Sequence, residues 1–102
     1  MSIKKKFLKG KPVVKITFEV AKEIANSAKS VSLVGEFNNW DPSASPMKST
    51  KEGKFSTTVD LESGKEYQFR YLIDETRWVN DSEADKFVPT VYGDSDNSVV
   101  VV

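Results

Sequence analysis

The chain has no cysteine and no histidine. Without thiols there is no disulfide, no thiolate nucleophile and no thiolate metal site, and without imidazole the commonest general base is missing. Any acid–base chemistry would have to run on carboxylates. No apolar run is longer than Val99–Val102, far short of the roughly 20 residues of a membrane-spanning helix. Neither sign of charge prevails, since 15 basic residues balance 15 acidic ones, and a nucleic-acid footprint is therefore not expected. The one local excess is Lys4, Lys5, Lys6, Lys9 and Lys11. No apolar stretch follows it as in a secretory signal. Residues 1–12 read as a flexible, solvated basic N-terminus rather than a polyanion-binding arm, and the cytoplasm is the expected compartment.

What is present is alternation. Val14, Ile16, Phe18 and Val20 interleave with Lys15, Thr17 and Glu19, the period of a strand with one wet face. Val31, Leu33 and Phe37 repeat the pattern, as do Phe55, Thr57, Val59 and Leu61. Tyr67, Phe69, Tyr71 and Ile73 share one face of the strongest strand, with Gln68, Arg70 and Leu72 on the other. Leu72 implies that this second face is not wholly wet. Ala21–Lys29 lacks an apolar stripe and reads as a loop with one helical turn, and Met47–Lys51 reads as a hairpin partner for the run at Phe55. Pro89 argues for irregular backbone over Phe87–Tyr92, while Ser98–Val102 reads as a closing strand. Short strands with polar turns and no internal repeat predict an all-β antiparallel sandwich over residues 13–102, with Val14, Ile16, Phe18, Leu33, Phe55, Val59, Leu61, Phe69 and Tyr71 between its sheets.

Two strand-and-turn units end on tryptophan, at Trp40 and Trp78. An indole on a turn gives a flat amphipathic surface suited to a sugar face, with neighbouring asparagines to bond hydroxyls. Hiding half of an indole's roughly 150–250 Å² is worth about 2–3 kcal/mol at roughly 25 cal/mol/Å². Two such platforms with a few hydrogen bonds predict a dissociation constant of about 10 μM to 1 mM. The opposing reading packs Trp40 over Phe37 or Pro42 as a lid. Asn38 and Asn39 suit a turn as well as a ligand, because asparagine tolerates left-handed backbone.

The stretches VGEFNNWDP, GKFSTTVDLESGKEYQFRYLIDETRWVND and DNSVVVV, at their spacing, resemble the glycogen-binding module of the AMP-activated protein kinase β subunit. They are similar also to the N-terminal early-set domain of isoamylases and glycogen branching enzymes. The likeness covers about Val13 to Val102. It implies an immunoglobulin-like early-set sandwich and non-catalytic binding of an α-1,4-linked glucan such as glycogen, starch or a maltooligosaccharide. Trp40 and Trp78 would stack on glucose rings. Arg70 (where the kinase module has lysine) would supply hydrogen bonds together with a residue placed like the module's asparagine, Asp96 or Asn97, of which Asn97 is the candidate. Asn39 would assist, and Tyr92 would stand near the leucine that pierces the ring stack. Glu75-Thr76-Arg77 replaces a compact glycine turn before the second tryptophan.

Two other classes of function remain to be weighed. A glycosidase needs two carboxylates roughly 5–9.5 Å apart, and Asp41, Asp74, Asp81, Glu83 and Asp85 are the available acids, all read as solvated or turn-forming. A calcium site at Asp94, Asp96 and Asn97 lacks a closing glutamate, so no cofactor or metal is expected. The alternative to glucan binding is an interaction module that docks on a glucan-processing enzyme or on itself, through an apolar patch or an edge strand such as Ser98–Val102.

Overall fold

The period-two runs pair into two antiparallel sheets that stack through their apolar faces. The computed structural model describes residues 2–7, 9–10, 12–25, 28–89 and 96–102. One sheet has the order β1 (Ser2–Phe7), β2 (Val13–Val20), β5 (Phe55–Glu62), β4 (Lys48–Ser49). The other has the order β3 (Val31–Gly35), β6 (Glu66–Ile73), β9 (Asp96–Val101), β8 (Lys86–Pro89). A short β7 (Arg77–Val79) pairs with the far end of β6, and a single helical turn, α1 (Lys22–Ala25), lies between β2 and β3. This is the all-β sandwich that the alternation predicts.

The inward residues follow the strand period. Val14, Ile16, Phe18 and Val20 of β2 are buried, as are Leu33, Phe55, Leu61, Phe69 and Tyr71, while Val59 is half-buried at the open side of β5. Phe69 lies edge-on to Phe18 and to Tyr71, with ring centroids 5.0 and 5.7 Å apart. Each such side chain contributes about 1.5–3 kcal/mol relative to exposure. Tyr67, grouped with the core by its register, is half-buried and donates its hydroxyl to the Glu62 carbonyl at the core's margin.

Several expectations are corrected. Ser2–Phe7 is a strand rather than a loose basic tail, paired antiparallel with β2. Lysine hides its alternation: Ile3, Lys5 and Phe7 stand opposite the inward residues Phe18, Ile16 and Val14. Lys5 is accommodated there because its Nζ reaches Asp85 at 2.7 Å, and an inward charge on an edge strand also discourages pairing with another chain. The run from Val31 ends at Gly35, after which Glu36–Asn38 form a 3-10 helix, so Phe37 lies off the strand. Lys86–Pro89 is a strand despite its proline, because β8 is an edge and Pro89 ends it. By contrast, the closing strand at Ser98–Val102 is paired internally, as a β-branched terminal strand requires: β9 lies between β6 and β8 and is not the free edge that the docking alternative would use.

Candidate functional site

Strand parity assembles one face. On β6, Phe69, Tyr71 and Ile73 point to the core, leaving Gln68, Arg70 and Leu72 on the outside. The register sets Val34 beside Arg70, Val99 beside Gln68, and Trp78 beside Leu72. Val34, Leu72 and Val99 are nearly inaccessible although they lie outside the core between the sheets. An apolar strip therefore runs beneath the polar groups of this outer face, as Leu72 suggested.

Trp40 is delivered by a tightly determined turn. A Cβ at Gly35 would stand 2.6 Å from the Gln68 carbonyl oxygen and 2.8 Å from Phe69 Cβ, so only glycine lets β3 press this closely on β6. Phe37 then tucks inward, 6.0 Å from the ring of Phe18 and 6.1 Å from that of Tyr67. Asn38 closes the loop: its Oδ1 accepts the Gly35 N–H, and its Nδ2 donates to the Leu33 carbonyl and to Ser45 Oγ. Asn39 and Trp40 follow with φ of 57° each, and the Trp40 N–H returns to the Gly35 carbonyl at 2.9 Å. Trp40 as a residue is 37% exposed.

Trp78 arrives by a different route. Asp74 and Glu75 both have positive φ, and the Thr76 N–H donates to the Ile73 carbonyl, the pattern of a type I′ hairpin turn. Asp74 Oδ1 accepts the N–H groups of Lys29 and Ser30, which pins the turn to the loop before β3. Val79 packs toward the core, so its neighbour Trp78 faces outward, 47% exposed. The backbone anchors of the two tryptophans thus flank β6, offset by about two strand spacings across it (roughly 10 Å) and about three residues along it (roughly 10 Å).

Between them lies a hydrogen-bonded polar patch. Arg70 Nη2 donates to the Asp96 carbonyl at 2.8 Å, and Asn97 Nδ2 donates to Gln68 Oε1 at 3.0 Å. The Gln68 N–H donates to Glu36 Oε1 at 2.6 Å. Asn39, the left-handed C-cap of the 3-10 helix, is exposed beside Trp40 and serves the turn first. Tyr92 lies outside the described residues, as does Asp94. The structure therefore groups Arg70, Asn97 and Trp78 on one sheet face, with Trp40 and Asn39 at its margin.

The acids are engaged elsewhere. Asp41 accepts the Ser43 N–H and hydroxyl, which hold its carboxyl below the ordinary value. Asp81, read as solvated or turn-forming, forms a turn but is fully buried: Oδ1 accepts the Glu83 N–H and Oδ2 the Tyr71 hydroxyl. Burial first, and the Asp81 charge second, push the Tyr71 phenol far above its ordinary value. Asp85 accepts from Lys5 and from the Val101 N–H. These carboxylates stabilise turns and the seam between sheets.

Residues 20–102 match the family described as the glycogen recognition site of AMP-activated protein kinase. The chain belongs to that family. A 61-residue stretch, 59% of the chain, is 36% identical to the 1,4-alpha-glucan branching enzyme of Photobacterium profundum and corresponds to 8% of that enzyme's length. The domain is thus a carbohydrate-recognition module of the glycogen-binding type, a class that binds rather than transforms polysaccharide. Among the described residues, no helix is long and apolar enough to cross a membrane.

Sequence reasoning missed one contributor to the patch, Asn80, and named Asp96 only as the alternative to Asn97, not for its carbonyl. Asn80 Nδ2 donates to that same carbonyl at 2.7 Å, and its Oδ1 accepts the N–H and hydroxyl of Ser98 at 3.1 and 2.9 Å. The available signal was position, since Asn80 follows Trp78 by two residues at the end of β7.

Proposed function

We propose that the domain binds α-1,4-linked glucan by stacking sugar rings on Trp40 and Trp78, with Arg70 and Asn97 bonding hydroxyls and Asn39 assisting at the margin. The observation that carries this reading is the exposure of both indoles on either side of the strand that bears Arg70. An apolar strip under a polar patch suits pyranose rings, which present hydrophobic faces and hydroxyl edges. Weak sites of this kind serve polymers, where many registers are available along one chain.

Intrinsic tryptophan fluorescence during titration with maltoheptaose, and separately with cellohexaose, tests the reading. The expected result is a saturable change with the α-linked sugar alone, weakened about tenfold or more in Trp40→Ala and in Trp78→Ala with the fold retained. Absence of any change up to about 10 mM would overturn it. The rival reading, docking on a glucan-processing enzyme, draws support from the likeness to a branching enzyme and from the exposed Phe7 and Phe87. It predicts no response to glucan, and loss of complex formation with such an enzyme in Phe87→Ser.

A further inference from the structure

β7 ends at Val79, and from there the side chain of Asn80 takes over the role of a pairing strand. Its carboxamide donates to the Asp96 carbonyl and accepts the Ser98 N–H, so it brackets Asn97 from both sides. The same Asp96 oxygen accepts Arg70 Nη2, and its two lone pairs are thereby divided between Asn80 and Arg70. Asn97 in turn is tied through Gln68 to β6. Ser98 Oγ, which donates to Asn80 Oδ1, accepts the Asp81 N–H at 2.9 Å, so the bracket is anchored in the buried polar cluster.

We propose that Asn80 is a positioning residue of the glucan site: it touches no sugar and fixes the directions in which Arg70 and Asn97 present their donors. The inference rests on the glucan reading above. Losing the Asn80 amide leaves the Asp96 carbonyl held by Arg70 alone at the start of β9, so the carbonyl that orients Arg70 and the backbone that carries Asn97 are less tightly fixed.

Asn80→Asp is the informative change, because a carboxylate still accepts from Ser98 while the donor to Asp96 is gone. Glycogen affinity electrophoresis measures it in two backgrounds, the wild type and Arg70→Ala/Asn97→Ala, which keeps both tryptophans. Asn80→Ala is run beside it, with circular dichroism as the check on folding. The expected result is an affinity about tenfold lower in the wild-type background and a change under about twofold in the double variant. An equal factor in both backgrounds would mean that Asn80 acts through the fold alone and would overturn the proposal. So would unchanged affinity in the wild-type background. If Arg70→Ala/Asn97→Ala binds as tightly as wild type, the polar part of the site falls and the proposal with it, while the tryptophan platform stands. If the wild type itself is not retarded by glycogen, glucan binding is the reading that fails.

Discussion

Tyr71 donates its hydroxyl to the carboxylate of Asp81 across 2.7 Å, and water reaches neither side chain. A buried carboxylate is tolerated only with its lone pairs filled, and the Glu83 N–H fills the other oxygen. Tyr71→Phe is therefore expected to destabilise the domain by about 1.5–3 kcal/mol, read as a lower urea midpoint at unchanged slope. Glucan affinity should hold, because Tyr71 points away from the outer face.

The same pair sets an alkaline limit. Burial and the Asp81 charge raise the Tyr71 phenol above its ordinary 10.0, so the folded form keeps its proton while the unfolded form loses it. The stabilisation is complete below pH 10.0 and declines as pH rises further, since the unfolded chain then binds fewer protons. Phenolate absorbance should accordingly show one tyrosine titrating only with unfolding, and Tyr71→Phe should abolish that step.

At the opposite end of the pH scale stands Asp85. Burial raises its carboxyl, but hydrogen bonds from Lys5 and the Val101 N–H, together with the Lys5 charge, outweigh this and lower it below 3.8. Its contribution is present above that value and vanishes as pH falls through the lowered one. Lys5→Ala leaves burial less opposed, so acid unfolding followed by circular dichroism should begin at higher pH. Added salt should reproduce part of the shift, because the pair is partly exposed.

Gly35→Ala should be among the most damaging single methyl additions. The new carbon would meet the Gln68 carbonyl and the Phe69 Cβ, both parts of β6 that cannot swing aside. A loss of about 1–3 kcal/mol is expected, measurable as a lower Tm. Fluorescence of Trp40 should shift as well, because the Gly35 carbonyl accepts the Trp40 backbone N–H and so fixes the turn that carries the indole.

Glu75→Gly is expected to stabilise. Glu75 holds φ at 61° in the turn before Trp78, a conformation that costs an L residue about 1 kcal/mol and glycine almost nothing. Aspartate followed by glycine is also a preferred type I′ pair. Thermal unfolding should rise by a few degrees, and maltoheptaose affinity should stay level because Trp78 is fixed by its pairing to Leu72.

Most of the sheet framework was legible in the sequence because apolar and polar residues alternate cleanly in β2, β5 and β6. β1 escaped because an inward lysine broke its period, and only a partner remote in sequence, Asp85, explains why lysine is tolerated there. β8 escaped because Pro89 forbids a central strand but not an edge, and edge or centre is a property of sheet order. For the candidate site, parity placed Arg70 and the turns placed the indoles. For Asn80 only its position after Trp78 was legible, not its role: an asparagine after a short strand looks like any turn residue until Asp96 and Ser98 arrive opposite it.

β6 is paired along both sides: β3 runs along one edge, and β9 and then β7 occupy the other. Local opening reaches such a strand last. Arg70 therefore rides on the mechanical spine of the domain. A pull along a glucan held as proposed would be borne in shear by the ladders of three neighbours at once, so the sheet should outlast the contact it carries.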